Sequence, residues 1–256
     1  MRLIINGDDF GITHGCNLAL IDCYQKGLMT STSIMTNMPF ALEAVSLSKE
    51  NPGLSVGLHF CLTAGKPLTN VPSLIKEDGT FDKAILFTPG KASIEEMRQE
   101  MQAQYDKFVR LMGKKPDHLN SHHGIEQIAG GEELLEEFSN RYSIPIRSFV
   151  NRDEFFKYSV PFEVAQGRLL SWKGVSPSDG IEVITNLFSK EDIQSDRAYE
   201  LGAHPGYIDY DLIKVSTLTT GRAYDAYFFM HPELKEWISK NNIELITYKD
   251  LKSFYD

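Results

Sequence analysis

The sequence predicts an α/β fold: an irregular (β/α) barrel in the TIM style, formed as a single domain over residues 1–256. Three observations predict it. Short apolar runs alternate with longer helical patterns about seven times along the chain. The length suits one parallel sheet with crossover helices. A carboxylate or an imidazole follows several of the strand patterns, and that end is where such folds keep their working groups. A doubly wound open sheet is the alternative architecture, and it too works at the carboxyl ends of its strands.

The elements follow in order. LIIN at 3–6 is the first strand and runs into Gly7-Asp8-Asp9. Residues 14–26 form a helix on the spacing of Leu18, Ile21 and Tyr24, with Gly27 at its end. STSIMTN at 31–37 is a strand and 40–49 a helix. LSVGLHF at 54–60 alternates, with Leu54, Val56 and Leu58 on one face and Ser55, Gly57 and His59 on the other. The clearest helix is 94–112. Ser93 and Glu96 make a capping box, Met97, Met101, Tyr105 and Phe108 lie on its buried stripe, and Gly113 stops it. The strand segment at 117–120 leads to His122-His123, a helix covers 131–141, and IPIRSF at 144–149 is a strand. IEVITN at 181–186 and AYELGAH at 198–204 read as strands, the latter ending at His204. A helix at 232–240, the strand IELITY at 243–248 and a short terminal helix close the chain. Two stretches without periodicity, 61–92 and 150–180, are expected as long loops over the working end.

Composition narrows the function classes. Apolar residues are 42% and charged residues 24%, as in ordinary soluble globular domains, which excludes a disordered, collagen-like or coiled-coil chain. The formal charge is −9 and no basic run exceeds Lys114-Lys115, so no nucleic-acid partner is expected. No apolar run reaches the roughly 18 residues of a membrane span. The opening MRLIINGDDF breaks its apolar run at two aspartates and does not read as a signal peptide. Cys16, Cys23 and Cys61 show no metal-type spacing; reduced thiols in a cytoplasmic protein are the simplest reading.

Each polar residue at a strand end has an ordinary reading when taken alone. An aspartate there commonly caps a helix or makes a turn, and His59 could be a satisfied core histidine. His14, His118 and His231 are read that way. Together, Asp8, Asp9, His59, His122, His123 and His204 converge from four strands on one end of the fold, which hydrophobic patterning does not require. Two imidazoles and a carboxylate suit one divalent ion such as Zn²⁺, Mn²⁺, Co²⁺ or Fe²⁺, whereas Mg²⁺ prefers oxygen. One aspartate can bind metal while the other addresses a water; a separate imidazole acid completes equipment for amide or ester hydrolysis.

The motifs NGDDFG at 6–11, TSTSIMTN at 30–37, VGLHFCLTAGKPL at 56–68, KPDHLNSHHG at 115–124 and AHPGYID at 203–209 resemble the YdjC-like carbohydrate deacetylases, a family that includes the chitooligosaccharide deacetylases. The resemblance runs nearly end to end. It implies a distorted barrel related to the polysaccharide deacetylases, removal of acetyl groups from N-acetylated mono- or oligosaccharides, a divalent ion usually described as Mg²⁺, and a homodimer. Carried over by motif, it implies metal ligands Asp9, His59 and His122, a general base Asp8 and a general acid His204. Arg147 resembles an arginine that related deacetylases set beside the base. Glu200, on the same strand face as His204, is expected to orient that imidazole, and His123 to support the site. The family pattern HLDSHHHVH is replaced here by HLNSHHGIE. Asn120 thus stands for an aspartate, and Gly124 and Glu126 stand for histidines that contact substrate. Rival readings are another single-metal hydrolase, phosphoesterase-like, on the same barrel, and a non-catalytic carbohydrate-binding protein.

Overall fold

The computed structural model describes residues 1–148, 163–170 and 177–252. Seven strands are present among them: β1 (Arg2–Phe10), β2 (Ser31–Ile34), β3 (Ser55–Phe60), β4 (Leu119–Ser121), β5 (Gln166–Leu169), β6 (Ala198–Ala203) and β7 (Glu244–Leu245). All pair in parallel in the order β4-β3-β2-β1-β6-β5. The short β7 adds to β1 at Arg2 and Leu3, below the point where β2 takes over the same edge at Asn6. The extended segment 144–148 joins the two ends of that order. Arg147 N donates to Leu119 O at 3.1 Å on the β4 side, and Ser148 N donates to Ala165 O at 3.3 Å on the β5 side. The sheet thereby curls into an irregular barrel, the α/β architecture expected from the sequence.

Helices wrap its outside: α1 (His14–Gln25), α2 (Ala41–Glu50), α3 (Lys83–Leu86), α4 (Ile94–Met112), α5 (Gly131–Tyr142), α6 (Pro177–Leu187), α7 (Lys190–Gln194), α8 (Tyr210–Val215), α9 (Thr220–Phe229) and α10 (Pro232–Lys240). Strand alternation separates two interiors. Leu3 and Ile5, Val56, Leu58 and Phe60, Leu119, and Tyr199 and Leu201 face the helices in the main apolar core. The other faces point into the barrel. Ile4 and Ala198 plug its lower end with Ile246, Tyr248 and Leu251. Above them the interior is polar, with Asn6, Asp8, Ser33, His59, Asn120 and Glu200 all buried. The polar face of 54–60 is therefore a barrel interior rather than a solvent face, and all six residues of β3 are buried.

Several expectations are corrected. β1 runs on to Phe10, so Asp8 and Asp9 lie within the strand rather than after it. IEVITN is part of helix α6, not a strand. Ile184 and Phe188 are fully buried with Ile181 packed beside them, a helical spacing that outweighs the β-branched composition. β5, and α6 from Pro177, lie inside the stretch expected as a 150–180 loop; residues 149–162, 171–176 and 253–256, the last holding part of the expected terminal helix, fall outside the described residues. Ser93 accepts from Glu96 N, but the Glu96 carboxylate turns to Ser73 N at 2.8 Å, so the capping box is half made. α4 also buries two polar residues that its apolar stripe does not announce. Gln104 bonds both backbone groups of Cys61, and Glu100 receives Leu68 N and Thr69 N. These bonds pin the start of loop 61–92 over the barrel mouth.

His118 stacks on Tyr248 inside the barrel, with ring centroids 4.0 Å apart, opposite Gly57, where a Cβ would stand 2.3 Å from the imidazole. Burial, reinforced by Arg147 and opposed by Asp8, holds its pKa well below the usual imidazole value. The folded chain keeps this ring neutral, while the unfolded chain protonates it below about pH 6.5. The unfolded state then binds more protons, so stability falls as pH drops through that value. His118→Phe removes this contribution. Its Tm is expected to fall less than that of the wild type between about pH 7.5 and about pH 5. Equal falls in both proteins would show that His118 is not held neutral.

Candidate active site

The site is built where β1 breaks its regular pleat. Register against β2 slips between Gly7 and Phe10, and Asp9 has φ 67, left-handed for a non-glycine residue. A bulge of this kind lets two successive side chains reach the same side, which a regular strand forbids. Both carboxylates enter the barrel mouth and line a cavity of about 1090 Å³ with His59, His122 and His204.

Asp8 is held by five donors. Its Oδ1 accepts from Asn6 Nδ2 at 2.8 Å, Arg147 Nη2 at 2.8 Å, Ser33 Oγ at 3.0 Å and Asn120 Nδ2 at 3.1 Å. Its Oδ2 accepts from Arg147 Nη1 at 2.7 Å and lies 3.9 Å from His204 Nε2. Burial pushes this carboxyl up, but Arg147 and His59 outweigh it and hold the pKa below the usual carboxylate range.

Asp9 Oδ1 stands 3.2 Å from His59 Nε2 and 3.0 Å from His122 Nδ1. The ligand atoms of these three residues lie within 4.8 Å of one another, the one such group among the described residues. Asp9 Oδ1 and His59 Nε2 are buried without a hydrogen-bond partner, which is how atoms reserved for a cation look in its absence. The donor set therefore fits a divalent ion. His59 is aimed by its other nitrogen, with Nδ1 2.7 Å from Asn120 Oδ1. Asn120 is not merely a lost charge. Its amide accepts from His59 and donates to Asp8, and a carboxylate there would face Asp8 Oδ1 at close range.

His204 follows β6. Its backbone N donates to Asp225 Oδ2 at 2.7 Å, and its ring remains partly open to the cavity. Burial lowers its pKa against the opposing pull of Asp9 and Asp8. Glu200 does not touch this ring. It takes both of its oxygens to Arg147 Nε, at 2.9 Å each, and accepts from Tyr248 OH. The expectation that it orients His204 is thus corrected: four residues before His204 and deeper in the barrel, it faces the guanidinium instead. His123, at φ 62, bonds Thr63 Oγ1 at 2.9 Å on the cavity wall. Partial desolvation against the cavity wall, followed by the charges of His122 and Lys83, lowers its pKa to about 3.

Like Tyr248, Arg222 and Asp225 are site residues that the sequence does not announce. Arg222 Nη2 donates to Asp9 Oδ2 at 2.6 Å and occupies the oxygen that faces away from the histidines. Asp225 holds the backbone of His204. Both sit on one face of α9, three residues apart, a spacing that is common on any helix and carries no signal alone.

The curled parallel sheet is shared with solved structures. An Enterococcus faecalis protein provisionally described as a cellobiose-phosphate cleavage protein superposes with TM-score 0.83 at 27% identity, over 97% of each chain. A peptidoglycan N-acetylglucosamine deacetylase superposes with TM-score 0.53 at 14% identity, over 96% of this chain and 85% of that one, and so shares the fold. The class is that of the polysaccharide deacetylase fold. A family model described as YdjC-like protein matches residues 2–240, and the chain belongs to that family. Carbohydrate deacetylase 2 of Listeria innocua is 36% identical, covering 98% of this chain and 99% of its own. The chitooligosaccharide deacetylase of Proteus mirabilis is 34% identical, covering 97% and 98%.

Proposed function

We propose that this protein is a metal-dependent carbohydrate N-deacetylase that removes the acetyl group from N-acetylated mono- or oligosaccharides. The observation that carries the reading is the convergence of Asp9, His59 and His122 beside Asp8 and His204 in one cavity. The names of the curated relatives support the substrate class. The cavity volume lies just above the ~300–1,000 Å³ typical of ligand sites, which suits a saccharide.

Asp9, His59 and His122 would hold the cation. The chemistry such an ion supplies is polarisation of the acetamide carbonyl and acidification of a water, enough for a weakly basic carboxylate to take the proton. Asp8 Oδ2 is the acceptor, because Oδ1 is filled by four donors while Oδ2 has one and faces His204. Arg147 fixes the plane of that carboxylate, and Glu200 with Tyr248 fixes Arg147. His204 Nε2 gives a proton to the departing sugar nitrogen. His123 and Thr63 shape the wall. Family habit favours Mg²⁺, whereas two imidazoles favour Zn²⁺ or another transition ion. Three buried, unpaired cysteines support a cytoplasmic location. The exposed apolar side chains Tyr207, Ile208, Tyr210 and Ile213 support a homodimer, measurable by light scattering. No helix among the described residues is long and apolar enough to cross a membrane.

Acetate release from N-acetylglucosamine and its dimer and trimer tests the function. Release of phosphate from sugar phosphates, with no acetate from any acetylated sugar, would favour the phosphoesterase reading. Binding without turnover would favour the non-catalytic one.

His204→Ala separates proton donation from positioning. The variant is expected to keep its metal and to lose turnover on the acetamide by roughly 10²–10⁴-fold. It should lose far less on an activated aryl acetate, whose leaving group needs no proton. Equal losses on both substrates would assign His204 to positioning.

A further inference from the structure

The cavity wall beside His122 carries a carboxylate that the mechanism above leaves unused. Glu126 is half-buried and lines the cavity with Gly124 and Gln127. Its Oε2 accepts from Ser121 Oγ at 2.6 Å, and that hydroxyl accepts in turn from Ile125 N at 2.8 Å. Among the described residues no Lys, Arg or His forms an ion pair with Glu126, and Oε1 has no donor. Gly124 takes φ 75. A Cβ at Gly124 would stand 2.4 Å from Gln127 Nε2 and 3.5 Å from Glu126 Oε1. The Gln127 amide thus fills the space that a side chain at 124 would take, and with the Glu126 carboxylate it makes a polar notch in the cavity wall.

A hydroxyl both donates and accepts, so it satisfies such a pair at once. An ammonium ion would meet the amide donor with its own N–H and is the poorer fit. We propose that Glu126 and Gln127 form a saccharide-gripping notch, in which Glu126 Oε1 accepts from a ring hydroxyl and Gln127 Nε2 donates to that hydroxyl or its neighbour. The inference rests on the deacetylase reading for the identity of the sugar. β4 makes the grip a ruler. Asn120 steers His59 and Asp8, Ser121 anchors Glu126, and His122 faces Asp9, all on three consecutive residues. The spacing between notch and reacting amide is thereby set by one strand, and it selects which unit of an oligosaccharide is presented. Glu126 is the contact, and Ser121 is a positioning residue acting through it.

The test compares wild type with Glu126→Ala, Glu126→Gln and Ser121→Ala, all loaded with metal. For the N-acetylglucosamine disaccharide, Glu126→Ala should raise KM by about tenfold while kcat stays within about twofold, the scale of losing a hydrogen bond to a charged acceptor. Glu126→Gln should lose less, because an acceptor remains. Ser121→Ala should follow Glu126→Ala in direction, and the double variant should be no worse than Glu126→Ala alone. Metal content and hydrolysis of an aryl acetate that carries no sugar should match wild type in every variant, which a merely structural role would not allow. Calorimetry with the glucosamine disaccharide and its acetylated form gives an arm independent of turnover. Both should bind wild type more tightly than Glu126→Ala. Should wild type release no acetate, the deacetylase reading fails while this affinity ratio still decides the notch. Unchanged KM and affinity in Glu126→Ala, or no binding by wild type, overturns the proposal. A loss confined to the amino disaccharide also overturns it and assigns Glu126 to an ammonium group.

Discussion

Replacing His59 with Ala should leave a folded protein without its metal. In the proposed site the imidazole supplies one of three protein ligands, and among the described residues its neighbours do not replace it: Ser33 Oγ lies on the Nδ1 side, and Asn120 is already committed to Asp8. The expected result is a fall in bound metal from one ion per chain to near zero by elemental analysis. Turnover should fall by at least roughly 10²–10³-fold, the scale of removing an electrostatic stabiliser. His122→Ala should behave alike, since its Nδ1 sits as close to Asp9 Oδ1 as His59 Nε2 does. The main apolar core is formed by the opposite faces of β3 and β4, so the far-ultraviolet circular dichroism should be unchanged. Full metal occupancy in either variant would remove that residue from the ligand set.

Asp8→Asn is the second large effect, and the structure gives it two parts. An amide at position 8 offers one acceptor oxygen where five donors now converge, and it turns an N–H₂ toward Arg147. Turnover is expected to fall roughly 10²–10⁴-fold if Asp8 Oδ2 takes the proton. Stability should fall as well, because buried Arg147 loses the Asp8 carboxylate while keeping that of Glu200; breaking a buried pair costs about 3–5 kcal/mol, and Glu200 should keep the loss at the lower end of that range. Metal should remain bound, since Asp9, His59 and His122 are untouched. Loss of metal with turnover would mean that the two aspartates exchange roles. Unfolding by denaturant and elemental analysis on one preparation separate these outcomes.

The sequence made some of this legible and hid the rest for physical reasons. Strand ends were visible because short apolar runs stop at residues of a different chemistry. This locates Asp8, Asp9, His59, His122 and His204, and the structure brings all five into one cavity. The bulge in β1 was not legible, since no sequence pattern distinguishes a strand that ends from one that slips register and continues. α6 was misread because β-branched residues dominate a run whose burial has helical spacing. Arg222 and Tyr248 were missed for another reason. Their partners lie 213 and 48 residues away in the chain, and only the folded barrel brings them together. The sequence marks Glu200 but not its neighbour, which is Arg147 rather than His204. Strand periodicity predicts which face a residue takes, and not which of several inward-facing groups it meets.

In the proposed mechanism one divalent ion on Asp9, His59 and His122 serves an acetyl-removing site. The most direct measurement titrates chelated protein with metal while acetate release from the N-acetylglucosamine disaccharide is followed on the same sample. The expected result is no release from the chelated protein and a rise that saturates at one equivalent of ion per chain. Release that persists undiminished after complete chelation would contradict it, as would a metal-saturated protein that frees no acetate from any acetylated sugar.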